Sequence, residues 1–189
     1  MEESNLFHRE GPLKKLLRER MEKGPLLKKL RDQFFKASTK IVDAQEFDSA
    51  MLSDITNAKA LVVIISPFLR KLKVEKILNY DKFNESLKRG IKIIVVTRPA
   101  EEVDKKEDHV DAINALRKAN IKVVTESKLH FKAVIIDNEI LYVGSINPLS
   151  LLIIKYIPPD YMLRFVSEAL VDEIIENTIG REKYQRWLE

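Results

Sequence analysis

Ala60-Leu61-Val62-Val63-Ile64-Ile65-Ser66 is a continuous apolar run, rich in β-branched residues and stopped by Pro67. A half-buried strand alternates apolar and polar residues. A run that is apolar at every position reads as a strand buried on both faces, as in a parallel sheet. Ile91–Thr97, stopped by Arg98-Pro99, and Ile121–Thr125 read the same way. Between these runs, Val74–Arg89 reads as a helix ended by Gly90, and Lys106–Ala119 as another. Upstream, Asp43 is expected to cap a helix reaching about Asn57, with Phe47, Ala50, Met51 and Ile55 at helical spacing. The alternation predicts parallel strands with helices on both faces.

After Thr125 the pattern changes. Phe131–Asp137 and Ile140–Val143 are too close for a crossover and are expected to form an antiparallel hairpin turned at Asn138-Glu139. Tyr161–Val166 predicts a further strand. Glu168–Thr178 predicts a closing helix, followed by a basic, aromatic tail that reaches Trp187. The expected fold class is α/β, with a mixed, mostly parallel sheet flanked by helices. Open sheets of this kind bind ligands beyond the C-terminal ends of their strands. Ser66, Arg98 and the loop before His130 lie near such ends.

A chain of 189 residues is long enough for one domain with an appendage. The chain has no cysteine, which excludes disulfides and thiolate metal sites. Its apolar runs fall far short of the ~20 residues a membrane span needs. No secretory signal is legible, so a cytoplasmic protein is expected. The net charge of +4 is unevenly placed. Residues 1–40 hold 11 Lys and Arg against 6 Asp and Glu, whereas the rest hold 22 against 23. The stretches Gly11-Pro12-Leu13-Lys14-Lys15-Leu16 and Gly24-Pro25-Leu26-Leu27-Lys28-Lys29-Leu30 echo each other, each reading as an entry into a short amphipathic helix. Residues 1–40 are therefore expected to form a basic helical arm, and residues 41–189 the body that carries the chemistry. Such an arm steers polyanions or is simply a solvated helical face.

The stretch that carries chemistry runs from His130 to Asn147. It reads H-x-K-x4-D-x6-G-S-x-N, with fixed residues His130, Lys132, Asp137, Gly144, Ser145 and Asn147. His130 and Lys132 are two apart on a predicted strand, so both leave one face. Lys132 supplies a point charge for a non-bridging phosphate oxygen. Ser145 and Asn147 supply hydrogen bonds, and Gly144 permits close backbone approach. Asp137 has no cation near it in sequence and fits a strand-fixing role better than contact with substrate.

This string resembles the signature of the phospholipase D superfamily. Outside it, Ile65-Ser66-Pro67-Phe68, Val96-Thr97-Arg98-Pro99 and Met162-Leu163-Arg164-Phe165 are similar to stretches in the phospholipase D-like domains of some archaeal and bacterial DEAD/DEAH-type helicases. The resemblance implies an α/β/α sandwich and a phosphohistidine intermediate. One histidine attacks phosphorus, and a second protonates the leaving oxygen and then activates water. It implies catalysis without metal or other cofactor. His130 would be nucleophile or acid, Lys132 and Asn147 phosphate ligands, and Ser145 and Asp137 supporting residues. The family usually carries a Glu shortly beyond the motif's Asn to orient the histidine. Here the nearest match is Asp160, thirteen beyond Asn147 and one carbon shorter.

The motif occurs once, although the chemistry needs two histidines. His8 and His109 lack accompanying Lys or Asn residues and are expected at the surface. Single-motif relatives dimerise so that two motifs share one site, and a homodimer is expected here. The leading expectation is a sequence-nonspecific nuclease that grips the DNA or RNA backbone, with no membrane partner and with a helicase as an implied associate. A nucleic-acid-binding or interaction module without catalysis is the second reading, and a lipid phosphodiesterase the third. Lipid-acting relatives usually hold two motifs in one longer chain.

Overall fold

A computed structural model describes residues 38–152 and 159–189. Ser38–Glu189 forms one compact unit. Its strands are β1 (Ser38–Asp43), β2 (Leu61–Ile65), β3 (Lys92–Thr97), β4 (Lys122–Thr125), β5 (Ala133–Ile136), β6 (Ile140–Gly144) and β7 (Tyr161–Val166). They form a single sheet in the order β1-β7-β6-β5-β2-β3-β4. β2, β3 and β4 are parallel, as their unbroken apolar runs predict. The other pairings, β1 with β7, β7 with β6, β6 with β5 and β5 with β2, are antiparallel. The sheet is thus mixed, but its parallel part is confined to one side.

Among the described residues six helices cover it: α1 (Phe47–Thr56), α2 (Lys71–Leu78), α3 (Asp81–Lys88), α4 (Lys106–Lys118), α5 (Glu168–Ile174) and α6 (Arg181–Leu188). The first four pack on one face. There Phe47, Met51, Val74, Phe83 and Ile113 join Val62, Ile64, Val95 and Val134 in one buried cluster. Val63, Ile65, Ile94 and Val96 point the other way and are just as buried. Val171 of α5 and Tyr184 and Trp187 of α6 are buried over that second face. Each fully buried Val, Leu, Ile or Phe contributes about 1.5–3 kcal/mol, so the two-sided sheet is the main source of stability.

Several sequence expectations change. Residues 1–37 of the expected arm lie outside the described residues, but Ser38, Thr39 and Lys40 belong to β1. Asp43 does not cap α1. Its Oδ1 accepts the N–H groups of Gln45 and Glu46, both at 2.9 Å, and so fixes the turn before the helix begins at Phe47. The helix expected over Val74–Arg89 is two helices. The chain is extended at Tyr80, and the Asn84 side chain donates to the free carbonyl of Leu78 at 2.7 Å. The expected Glu168–Thr178 helix gives way after Ile174 to a wide π turn over Ile175–Ile179, ending at Gly180 with φ +89°. The aromatic tail is helical. Trp187 donates to Glu126 and the Tyr184 hydroxyl to Asn138, each at 2.9 Å.

Candidate active site

The C-terminal ends of β2, β3, β4 and β6 and the N-terminal ends of β5 and β7 meet at one end of the sheet. His130 and Lys132 sit in the segment entering β5, just before the ladder begins at Ala133. His130 is exposed and Lys132 half-buried. The Lys132 ammonium donates to the His130 carbonyl at 2.9 Å. Burial lowers the pKa of Lys132 below the ordinary lysine value, the Arg98 charge lowers it further, and Asp160 opposes them. Two cations and one carboxylate therefore act on one another beside His130. Lys132 is thus partly stripped of water and short of negative charge, which makes it a candidate ligand for an anion.

Arg98 was legible only as a strand-end residue; the fold gives it a place in this group. It follows β3 directly, and its Nε donates to the carbonyl of Leu129, the residue before His130, at 2.5 Å. Its guanidinium lies 5.0 Å from the centre of the Phe68 ring. Behind it stands His109, and here the surface expectation fails. His109 is 1% exposed, on the α4 stripe it shares with Ala112, Ile113 and Leu116. Its Nδ1 accepts the Leu69 N–H at 3.1 Å, and its Nε2 lies 3.0 Å from the Arg98 carbonyl, to which it donates as the neutral tautomer. Burial holds its pKa below the ordinary histidine value. It ties the loop after β2 to the loop after β3. The spacing of that stripe was the overlooked signal.

Gly144 ends β6 opposite Met162. A Cβ there would sit 2.3 Å from the Tyr161 carbonyl oxygen, so β6 and β7 approach as only glycine allows. Ser145 follows. Its Oγ accepts from the Tyr161 N–H at 3.1 Å, which binds the motif strand to the segment carrying Asp160. Asn147 opens a turn in which the N–H groups of Ser150 and Leu151 reach its carbonyl at 3.2 Å. Its side-chain Oδ1 is buried without a hydrogen-bond partner. Buried Ser66 braces this turn by accepting from the Leu149 N–H at 3.0 Å and donating to the Phe68 carbonyl at 2.8 Å. Asp160, half-buried, lies close enough to Lys132 to influence its charge.

Asp137 is not brought to this end. It lies beyond the far end of β5 and takes the N–H groups of Lys59, Ala60 and Leu61 at 2.7, 2.8 and 2.9 Å. Burial alone would raise its pKa, but these three donors outweigh it and hold the carboxyl below the ordinary aspartate value. The hairpin turn holds the expected Asn138 and Glu139 together with Asp137, and Asp137 and Asn138 are both left-handed with φ 52° and 55°. The motif is thus divided between the two ends of β5, with His130, Lys132, Ser145 and Asn147 at one end and Asp137 at the other. Among the described residues no three His, Asp or Glu side chains gather as a metal site, and no helix is long and apolar enough to cross a membrane.

Comparisons with known proteins agree with this architecture. Residues 51–149 match the family described as "Cardiolipin synthase, PLD-like domain". No curated protein sequence matches the chain. Among solved structures, it is similar to Nuc from Salmonella typhimurium, a phospholipase D family member. That similarity has a TM-score of 0.59 at 18% identity and covers 79% of this chain and 95% of Nuc. NucT from Helicobacter pylori is similar with a TM-score of 0.55 at 19% identity, covering 81% of this chain and 95% of NucT. The matched segment spans more than half of the sequence and holds the whole H-x-K-x4-D-x6-G-S-x-N string, and the chain belongs to the phospholipase D-like superfamily.

Proposed function

We propose that this chain is a metal-independent phosphodiesterase that cuts nucleic-acid backbone through a phosphohistidine intermediate. The observation that carries the proposal is the clustering of exposed His130 with Lys132, Arg98 and Asp160 beside the Ser145–Asn147 turn. In the first step a His130 ring nitrogen attacks phosphorus and the bond to the leaving oxygen breaks, with a proton delivered to that oxygen. In the second, water gives up a proton to the imidazole that protonated the leaving oxygen and attacks phosphorus, and the bond to the nucleophilic histidine breaks. Lys132, Arg98 and the Asn147 amide meet the negative charge that builds on the non-bridging oxygens.

Each chain offers this site one described imidazole. His109 has both nitrogens engaged and is buried. The proton donor is therefore assigned to His130 of a second copy across a two-fold axis, with one site per dimer. Contacts made by cations with phosphates carry no base sequence, so cutting is sequence-nonspecific and weakens steeply with salt.

The test is cleavage of a labelled oligonucleotide in EDTA. We expect cleavage by the full chain, an acid-labile phosphorus adduct after quenching, and loss of both in His130→Ala. Cleavage that survives His130→Ala sinks the proposal, and full activity in a species that light scattering shows to be monomeric sinks the shared site. Asp160, an acid shorter than the family's Glu, favours one other reading, a binding module without catalysis. Salt-sensitive binding with no cleavage in EDTA or with magnesium would identify it.

A further inference from the structure

A cavity of about 210 Å³ opens beside the phosphate-binding cluster. It is lined by Phe68, Leu69, Arg70, Val103 and Ser150, with Asp104, Lys105 and His109. Nothing in the chemistry above uses it. We propose that it takes one unpaired nucleobase next to the scissile phosphate, so that the enzyme acts on single-stranded or locally unpaired nucleic acid. The inference rests on the nucleic-acid assignment above and names the substrate class of that site.

Three observations point to a base. The first is adjacency on two sides. The Arg98 guanidinium packs 5.0 Å from the centre of the Phe68 ring, and the same Arg98 acts electrostatically on Lys132. On the other side, Ser150 closes the turn that begins at Asn147. Two residues that line the cavity, Phe68 and Ser150, therefore contact the proposed phosphate ligands Arg98 and Asn147. The second is chemistry. Arg70 is already paired with Asp108 at 3.1 Å, and Asp104 balances Lys105, so the cavity is close to neutral. That suits an uncharged ring and does not suit a second phosphate. Phe68 and Val103 offer apolar surface, while Ser150 and Asp104 offer polar atoms to a ring edge. The third is size. Sites for whole drug-sized ligands run to about 300–1,000 Å³, and this cavity, below that range, fits one ring system rather than a nucleotide or an acyl chain.

A cationic track beside an aromatic wall matches the alternation of phosphate and base along a single strand. A paired base in a duplex would first have to be unstacked, at a cost of a few kcal/mol. Single strands therefore enter more readily. Base-on-aromatic stacking is sequence-tolerant, which agrees with nonspecific cutting.

The test separates this site from catalysis by measuring binding alone. Full-length His130→Ala protein is titrated by fluorescence anisotropy with three labelled probes: a single-stranded oligonucleotide, an abasic strand of equal length, and the duplex. We expect the base-bearing single strand to bind roughly tenfold more tightly than the abasic strand, the scale of one stacked base. The duplex is expected to resemble the abasic strand. Val103→Trp, which fills the cavity, should abolish that preference while leaving salt-dependent binding of the abasic strand. Phe68→Ala should reduce it from the opposite wall. Equal affinity for the base-bearing and abasic strands in the His130→Ala protein overturns the inference. So does a preference that survives both cavity variants, or no binding of any strand. Because no turnover is measured, failure of the cleavage chemistry leaves this test intact.

Discussion

Asp137 offers the sharpest test of how the motif divides. It is a fixed residue of the signature, yet its carboxylate sits at the opposite end of β5 from His130. Oδ1 accepts from Ala60 and Leu61, and Oδ2 accepts from Lys59. Asp137→Asn can keep both bonds at Oδ1, and asparagine tolerates the left-handed backbone at φ 52°. What it loses is the charge and the acceptor for Lys59, where an NH2 group would face an N–H. One charge-assisted bond lost at a partly wet site costs about 1.5 kcal/mol. For a chain of this size that lowers Tm by roughly 3–6 °C. Asp137→Ala loses all three acceptors and adds about 1–2 kcal/mol for a left-handed residue without a local hydrogen bond. The expected order of stability is wild type, then Asn, then Ala, in urea or thermal unfolding at neutral pH. The folded-state pKa is depressed, so the native state binds fewer protons than the unfolded chain. The advantage over Asn is therefore present above the ordinary aspartate pKa and is lost as pH falls through the lower, folded value. Catalytic parameters measured well below each variant's Tm should stay near those of wild type. Unchanged stability together with lost turnover would place Asp137 in the chemistry and refute the division.

Further outcomes follow from the same geometry. In the proposed mechanism phosphate binding needs charged Lys132, so kcat/KM should fall on the alkaline side at a pH below the ordinary lysine value. Asp160→Asn should move that limb lower and Arg98→Gln should move it higher, and pH profiles in which both variants match wild type would contradict the coupling. His109→Phe leaves a buried N–H at Leu69 and a part-buried carbonyl at Arg98 without their partner, for about 2–4 kcal/mol in urea unfolding. Because burial depresses the His109 pKa, wild type should lose part of this stability as pH falls from 6.5 toward the lower folded value, and the variant should lack that loss. Gly144→Ala pushes a methyl into the Tyr161 carbonyl and the Met162 Cα, both backbone atoms. It should cost about 1–3 kcal/mol or more by parting β6 from β7, with weakened turnover, as read by thermal unfolding and the oligonucleotide assay.

How much of this was legible in the sequence depended on how local each signal was. The parallel strands were legible because Leu61–Ile65 and Lys92–Thr97 are buried on both faces, and that burial is written in consecutive residues. β1 was not, because it is an edge strand whose pairing partner, β7, lies more than a hundred residues away. Of its residues 39–43 only Val42 is a buried hydrophobic, while Lys40 and Ile41 are exposed. Propensity carries little weight for a strand whose stability comes from a distant neighbour. The division of α2 from α3 was written in Asn79-Tyr80-Asp81, a stop followed by an acidic first turn, which the long apolar period hides. In the candidate site, His130, Lys132, Ser145 and Asn147 could be grouped from the motif string. Arg98 could not, because it comes from a different βα unit and gains its role only when β3 and β5 flank β2.

The supporting residues explain why a site assembled from separate loops can hold one geometry. Lys132 and Arg98 carry like charge, and in water they would move apart. They are kept near each other because the Arg98 backbone is fixed at both ends. His109 holds its carbonyl, and its N–H points to the Pro67 carbonyl at 3.4 Å. Its side chain is anchored on Leu129 and Phe68. That arrangement holds two like charges close together. In the proposed mechanism a substrate phosphate offsets their repulsion, and more so as negative charge concentrates on the non-bridging oxygens during attack, which is the direction catalysis requires. In the proposed mechanism buried Ser66 and His109 are positioning residues, and the bond-breaking falls to His130, the one exposed histidine among the described residues.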